Sequence, residues 1–199
     1  IEVERGYSNA VSPDGTKVAY SSSGRFWIRN LSQLEPLEVT GIVSASNLFW
    51  SPQSDMLAFF DAGERTLKTV NLQSGVVVDV CRILESSVSG GDWMSDGTIV
   101  ISNRHLYTVP ARGGEATVFL SADSLQGIQG ISDPHVLRDS GAILFKTFNY
   151  DGSNDIVLYH NNIISSLVHD DDLNDPFYSP SGHILYTGDT AGSENIFAL

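Results

Sequence analysis

Short apolar runs recur along the chain at nearly even intervals: Val18-Ala19-Tyr20, Leu57-Ala58-Phe59, Ile99-Val100-Ile101, Ile143-Leu144-Phe145 and Ile184-Leu185-Tyr186. Each is three residues long, β-branched or aromatic in character, and bounded by turn-forming residues. That pattern predicts a buried strand. A turn signal precedes each run: Ser12-Pro13-Asp14-Gly15, Ser51-Pro52-Gln53-Ser54, Met94-Ser95-Asp96-Gly97, Arg138-Asp139-Ser140-Gly141 and Ser179-Pro180-Ser181-Gly182. The signals end at 15, 54, 97, 141 and 182, spaced 39, 43, 44 and 41 residues apart. The residue ahead of each signal is Val11, Trp50, Trp93, Leu137 or Tyr178, always apolar or aromatic.

A third strand is predicted after each run: Phe26 to Leu31, Leu67 to Leu72, Leu106 to Pro110, Ile156 to His160 and Ile196 to Leu199. A fourth is predicted in four units: Leu37 to Thr40, Val76 to Val80, Ala116 to Leu120 and Ile164 to Val168. No segment sustains a 3.6-residue apolar period, so essentially no helix is expected. In Ser-Pro-Asp-Gly, Pro pre-sets φ, Asp closes the turn and Gly takes the left-handed position, giving a tight hairpin between first and second strands. Asp14 and Asp96 therefore have a structural role.

Four short strands per roughly 40 residues predict an all-β fold, a β-propeller of four-stranded antiparallel blades. About five blades are expected, at approximately 7–40, 47–81, 90–120, 133–168 and 175–199, in one domain spanning 1–199. Neighbouring blades bury one another's faces. Trp50, Trp93 and Tyr178 are expected in that blade core.

The repeats resemble TolB-like, WD-related propeller repeats. The residues that carry the resemblance are Ser12-Pro-Asp-Gly-Thr-Lys-Val-Ala-Tyr20, Phe49-Trp-Ser-Pro52 with Leu57-Ala-Phe-Phe60, and Leu106-Tyr-Thr-Val-Pro-Ala-Arg-Gly-Gly-Glu115. A narrower resemblance is to the propeller region that follows the kinase domain of bacterial eukaryotic-like serine/threonine kinases. It rests on Phe26-Trp-Ile-Arg-Asn-Leu31, Leu34-Glu-Pro-Leu37, and Gly91-Asp-Trp93 ahead of Asp96-Gly-Thr-Ile-Val100. The chain departs from the repeat where Ser54 replaces a turn glycine and where Met94 and Arg138 replace the repeat serine. Units three and four also lack the turn proline. The resemblance implies a non-catalytic recognition or sensor module within a larger bacterial protein such as such a kinase. Two alternatives stay open: a propeller gating a prolyl-oligopeptidase-type hydrolase, and a periplasmic TolB-like translocation component. They leave the bacterial cytoplasm and the extracytoplasmic side of a membrane-anchored parent both open as locations.

No kinase motif occurs: no Gly-x-Gly-x-x-Gly, Val-Ala-Ile-Lys, His-Arg-Asp or Asp-Phe-Gly. No Gly-x-Ser-x-Gly elbow occurs either. His105, His135, His160, His169 and His183 include no His-x-x-x-His pair. Asn149-Tyr-Asp-Gly-Ser-Asn-Asp155 lacks the order of a calcium loop and reads as a hairpin loop. Asn30-Leu31-Ser32 is a glycosylation sequon, and Cys81 reads as a buried small hydrophobe. No catalytic residue, metal site or cofactor is expected.

Charge adds the candidate site. The net charge is −13; residues 1–120 hold 13 acidic and 9 basic residues, and 121–199 hold 11 acidic against Arg138 and Lys146 alone. Such a surface repels nucleic acid, and no run is long enough for membrane insertion. A protein or small-molecule ligand is expected as partner, a cationic one by charge. The densest cluster is His169-Asp170-Asp171-Asp172-Leu173-Asn174-Asp175, read as the link between the fourth blade and the fifth. Asp189 and Glu194 are read into a loop on the same face, so His169, Asp170, Asp171, Asp172, Asp175, Asp189 and Glu194 form the expected interaction face. Finally, Ile1-Glu2-Val3-Glu4 alternates as an edge strand does. If it pairs beside Ile196 to Leu199, the ring closes with five blades. If not, the chain is an arc of a larger propeller, the reading favoured by the start at Ile1.

Overall fold

The structure, a computed structural model, describes residues 9–22, 25–40, 42, 45–83, 88–179, 181–190 and 193–199. Among them are five successive antiparallel sheets. The first holds β1 (Asn9–Val11), β2 (Lys17–Ser22), β3 (Arg25–Asn30) and β4 (Leu37–Glu38). The second holds β5 (Ala45–Trp50), β6 (Met56–Asp61), β7 (Thr66–Asn71) and β8 (Val77–Arg82). The third holds β9 (Gly91–Trp93), β10 (Thr98–Asn103), β11 (His105–Pro110) and β12 (Thr117–Leu120). The fourth holds β13 (Ile128–Leu137), β14 (Ala142–Asn149), β15 (Asn154–His160) and β16 (Ile163–Asp170). The fifth holds β17 (Leu173–Tyr178), β18 (Ile184–Thr190) and β19 (Ser193–Ala198). Each sheet keeps sequence order, so consecutive strands are joined as hairpins. These meanders are the blades of a β-propeller. The helical content among the described residues is one 3₁₀ turn, Ala122–Ser124.

The turns form as their residues dictate. Ser12 Oγ donates to Asp14 Oδ1 at 2.6 Å, the Thr16 amide donates to the same oxygen at 2.9 Å, and the Lys17 amide donates to Ser12 Oγ at 2.9 Å. These donors hold the Asp14 carboxyl well below the ordinary carboxylate range, the Ser12 hydroxyl most of all. Blade two repeats the device with Ser51 Oγ donating to Asp55 Oδ1 at 2.8 Å. There Ser54 takes the left-handed position usually left to glycine, at φ 59°.

The chain divides into two compact units: 1–88 with 96–99 and 109–116, and 89–95 with 100–108 and 117–199. In the first unit Ala19, Phe26, Ile28, Trp50, Leu57, Phe59 and Val70 form one core between blades one and two. Trp50 is 2% exposed and its indole Nε1 donates to the Ala10 carbonyl at 3.0 Å. In the second unit Ile143 and Phe145 join one cluster with Val100, Leu106 and Val136, while Leu144 joins another with Ile156 and Leu173. The apolar run is unbroken because a blade's second strand is buried on both faces. Trp93 is 4% exposed, and Tyr178 is half-buried.

The first strands carry a feature the apolar pattern hides. Asn47, Gly90, Asp133 and Asp175 have φ of 51°, 101°, 51° and 49°. Each lies three residues ahead of Trp50, Trp93, Val136 and Tyr178, and register shifts fall there in β5, β13 and β17. Those at Asn47, Asp133 and Asp175 are bulges, and Asn, Asp and Gly are the residues that tolerate the left-handed conformation.

Several strands outrun their sequence-based limits. β16 continues through His169 and Asp170, and β17 begins at Leu173, so the 169–175 segment is not one loop. β18 and β19 carry Asp189 and Glu194 on strands, paired with one another, rather than in a loop. Backbone hydrogen bonds extend ladders through exposed polar positions, where an apolar pattern gives no signal. The converse holds at β4, which is two residues long instead of running to Thr40. The expected pairing of Ile1 to Glu4 lies outside the described residues.

Candidate functional site

Asp170, Asp171, Asp172, Asp189 and Glu194 of the second unit lie at the strand ends of blades four and five. The link between the blades is only Asp171 and Asp172. Asp170 Oδ1 accepts the Asp171 amide at 2.7 Å, and the Asp171 carbonyl accepts from Asn154 Nδ2. Leu173, 3% exposed, anchors the far side in the core. Three exposed carboxylates thus stand on a tethered backbone. Leu173 pairs with Gly188 and Asp189 pairs with Glu194, so Asp172, Asp189 and Glu194 follow one another across the ends of the three strands of blade five. A Cβ placed on Gly188 would lie 2.9 Å from the Asp172 carbonyl oxygen. That close approach is possible because residue 188 is glycine.

The structure separates two of the expected site residues from this row. His169 turns to blade four: its Nδ1 lies 3.1 Å from Asp155 Oδ1. Burial pushes the Asp155 carboxyl up, but hydrogen bonds with Asn149, Ser166 and His169 outweigh it and leave the group below its ordinary range. Asp175 sits on the bulge of β17, where Thr187 Oγ1 approaches its Oδ2 at 3.5 Å.

There a second polar cluster appears. Lys146, 6% exposed, donates from Nζ to Asn174 Oδ1 at 2.7 Å and lies 4.4 Å from the Phe148 ring centroid. Its charge also acts on Asp133, the bulge residue of β13. Burial raises the Asp133 carboxyl above its ordinary range, against the Ser132 hydroxyl at 2.7 Å and Lys146, and with the help of Asp175. Nearby, the buried Asp92 ties blade three to blade four. Its Oδ1 accepts the Trp93 amide at 2.7 Å and its Oδ2 the Val136 amide at 2.8 Å. His135 Nδ1 lies 3.1 Å from the same carboxylate, and Arg138 Nη2 3.8 Å. The His135 ring then meets Phe177 of blade five at 4.6 Å between centroids.

Sequence reasoning missed Asp92, Asp133, Lys146 and Asn174 as a group. The available signal was the Asp-Pro pair at 133–134 and again at 175–176, at equivalent places in two inner strands. Among the described residues no group of three or more His, Cys, Asp or Glu side chains has the arrangement of a metal site. Cys81 is buried, and burial pushes its thiol up to about 11. No helix among the described residues is long and apolar enough to cross a membrane.

The architecture has known counterparts. TolB from Acinetobacter baumannii superposes with a TM-score of 0.81 at 15% identity, over 96% of this chain and 51% of that one. The Myceliophthora thermophila Cps50 (Swd1) β-propeller domain gives 0.71 at 12% identity, over 94% and 64%. A chain of a nidogen/laminin complex gives 0.69 at 13% identity, over 96% and 73%. The chain therefore spans about half the length of the TolB it matches. Identities this low establish the fold: an all-β propeller with TolB-like and WD-related counterparts. Nothing in them bears on the kinase-linked propeller specifically. No protein-family model and no curated protein sequence matches the chain.

Proposed function

We infer that the chain is a non-catalytic recognition module that binds a cationic partner protein at the acidic strand ends of blades four and five. The observation that carries the reading is the tethered row of Asp170, Asp171, Asp172, Asp189 and Glu194. Its carboxylates are exposed, while both cations of residues 121–199 are spent inward, Lys146 on Asn174 and Arg138 toward Asp92. Like charges fixed close together repel, and a cationic ligand relieves that repulsion. One matched propeller comes from a protein–protein complex, that of nidogen with laminin, which supports protein as the class of partner.

The test is calorimetric titration with octalysine. Binding is expected to weaken with salt, and by about tenfold or more when Asp170, Asp171, Asp172 and Asp189 become Asn and Glu194 becomes Gln. Equal affinity in that variant removes this face as the site. Phosphotransfer or peptidase turnover by the chain alone, abolished by a point substitution within it, overturns the non-catalytic reading.

The module belongs, in this reading, to a larger bacterial protein such as a serine/threonine kinase. The coding region decides the parent. His-Arg-Asp and Asp-Phe-Gly motifs ahead of Ile1 support the kinase. A Gly-x-Ser-x-Gly elbow after Leu199 supports the hydrolase instead, and a signal peptide without an enzyme domain the translocation component.

A further inference from the structure

Blades one and two, both in the first unit, enclose a cavity of about 300 Å³. Its floor is aliphatic: Ile28, Val70 and Leu72, with Leu37 and Val39 at the side. Ile28 and Val70 belong to the buried core of these blades, and Val39 and Leu72 pack against it. The cavity opens because β4 is short. Its two residues pair with Trp27 and Ile28, so Arg29 and Asn30 at the end of β3 lie beyond that ladder. The outer strands of blades two and four have six and eight residues by comparison.

The polar groups at the mouth are unequal. Lys17 Nζ is held by Asp14 at 3.5 Å and by the Ser54 carbonyl at 3.3 Å. Glu38 meets Arg25 at 3.5 Å. Glu35 is exposed and has neither an ion pair nor a hydrogen bond with any described residue. The one uncompensated charge offered at the mouth, among the described residues, is thus a carboxylate. The connecting segment adds apolar surface outside the cavity, where Leu31 and Leu34 are 55% and 87% exposed, and Leu37 on the cavity wall is itself 66% exposed. An aliphatic floor, a carboxylate at the rim and leucines running on past it fit an elongated ligand better than a compact one.

We propose that this groove docks an extended peptide segment that places an aliphatic side chain on Ile28, Val39 and Leu72 and a Lys or Arg beside Glu35. The site lies apart from the acidic strand ends of blades four and five, and the proposal does not rest on that reading.

The experiment is fluorescence anisotropy of the full chain with a labelled, end-capped Lys-Leu-Thr-Leu-Lys probe and its Glu-Leu-Thr-Leu-Glu counterpart. The lysine probe is expected to bind saturably and the glutamate probe at least about tenfold more weakly. Leu37→Glu and Glu35→Lys alter exposed residues, and each is expected to weaken the lysine probe by about tenfold with the thermal melt unchanged. The variant neutralised at Asp170, Asp171 and Asp172 is expected to bind it within about twofold of the parent chain. Absence of saturable binding up to about 1 mM overturns the proposal, as does unchanged affinity in either groove variant. A loss confined to the neutralised variant also overturns it, and leaves the acidic-face reading standing.

Discussion

Single side chains decide more here than their composition suggests. Trp50 fills the core between blades one and two and also satisfies a backbone carbonyl with its indole. Trp50→Ala is expected to cost about 3–5 kcal/mol in denaturant melts, the usual range for removing a buried aromatic. A loss under about 1 kcal/mol would contradict its place in the core. Asp14 works differently, since it is exposed and its partners are local. The donors of Ser12 and Thr16 favour its ionised form. Its folded-state pKa is depressed, so the stabilisation it brings is present above the ordinary aspartate range. That contribution disappears as pH falls through and below it. Asp14→Ala is expected to lower stability at neutral pH and to flatten the acid limb of the pH–stability curve. Parallel curves for the two proteins would show that the turn does not depend on the carboxylate.

At the scale of elements, the blades of the second unit are joined by a few specific ties as well as by apolar faces. Asp92 accepts two backbone amides, one of them across to blade four, with His135 and Arg138 close by. Asp92→Ala leaves those donors without an acceptor and is expected to cost about 3–5 kcal/mol. Asp92→Asn, which keeps one acceptor oxygen, should cost less, and chemical denaturation of both variants measures the difference. Glycines at positive φ separate in the same way. Gly15 has φ 68° with nothing within 4 Å of an added Cβ, so Gly15→Ala is expected to cost about 1–2 kcal/mol from backbone strain alone. Gly90 has φ 101°, and its Cβ would stand 3.0 Å from the Asp133 Cα. Gly90→Ala is expected to cost more than Gly15→Ala, because backbone of the neighbouring blade must also move. Equal melting shifts would refute the close approach of Gly90 to β13.

Across the whole molecule, the circular dichroism spectrum is expected to be of β type. Helix above about a tenth of the residues would be incompatible with five successive sheets and a single 3₁₀ turn among the described residues. The charge asymmetry also has a structural side. Residues 121–199 carry 11 acidic and 2 basic residues, and both basic side chains lie against blade-joining groups. That stretch is negative by composition, and its two cations do little to offset it at the surface, with Lys146 buried and Arg138 half-buried.

The blades themselves were legible in the chain, because each rests on local physics. Turn residues set φ over four positions, and a strand buried on both faces needs an unbroken apolar run, as at Ile143, Leu144 and Phe145. The candidate site was legible only in part. Acidic residues were found by their density, but their placement depends on ladder hydrogen bonds, which are blind to side-chain polarity. Asp170, Asp189 and Glu194 therefore lie on strands and His169 faces Asp155, whereas the segment reads as a loop. Asp92, Asp133 and Lys146 reach their roles through partners tens of residues away, such as Val136 for Asp92 and Asn174 for Lys146. Such pairs are set by tertiary packing, which decided which charges are buried as ties between blades and which stay exposed.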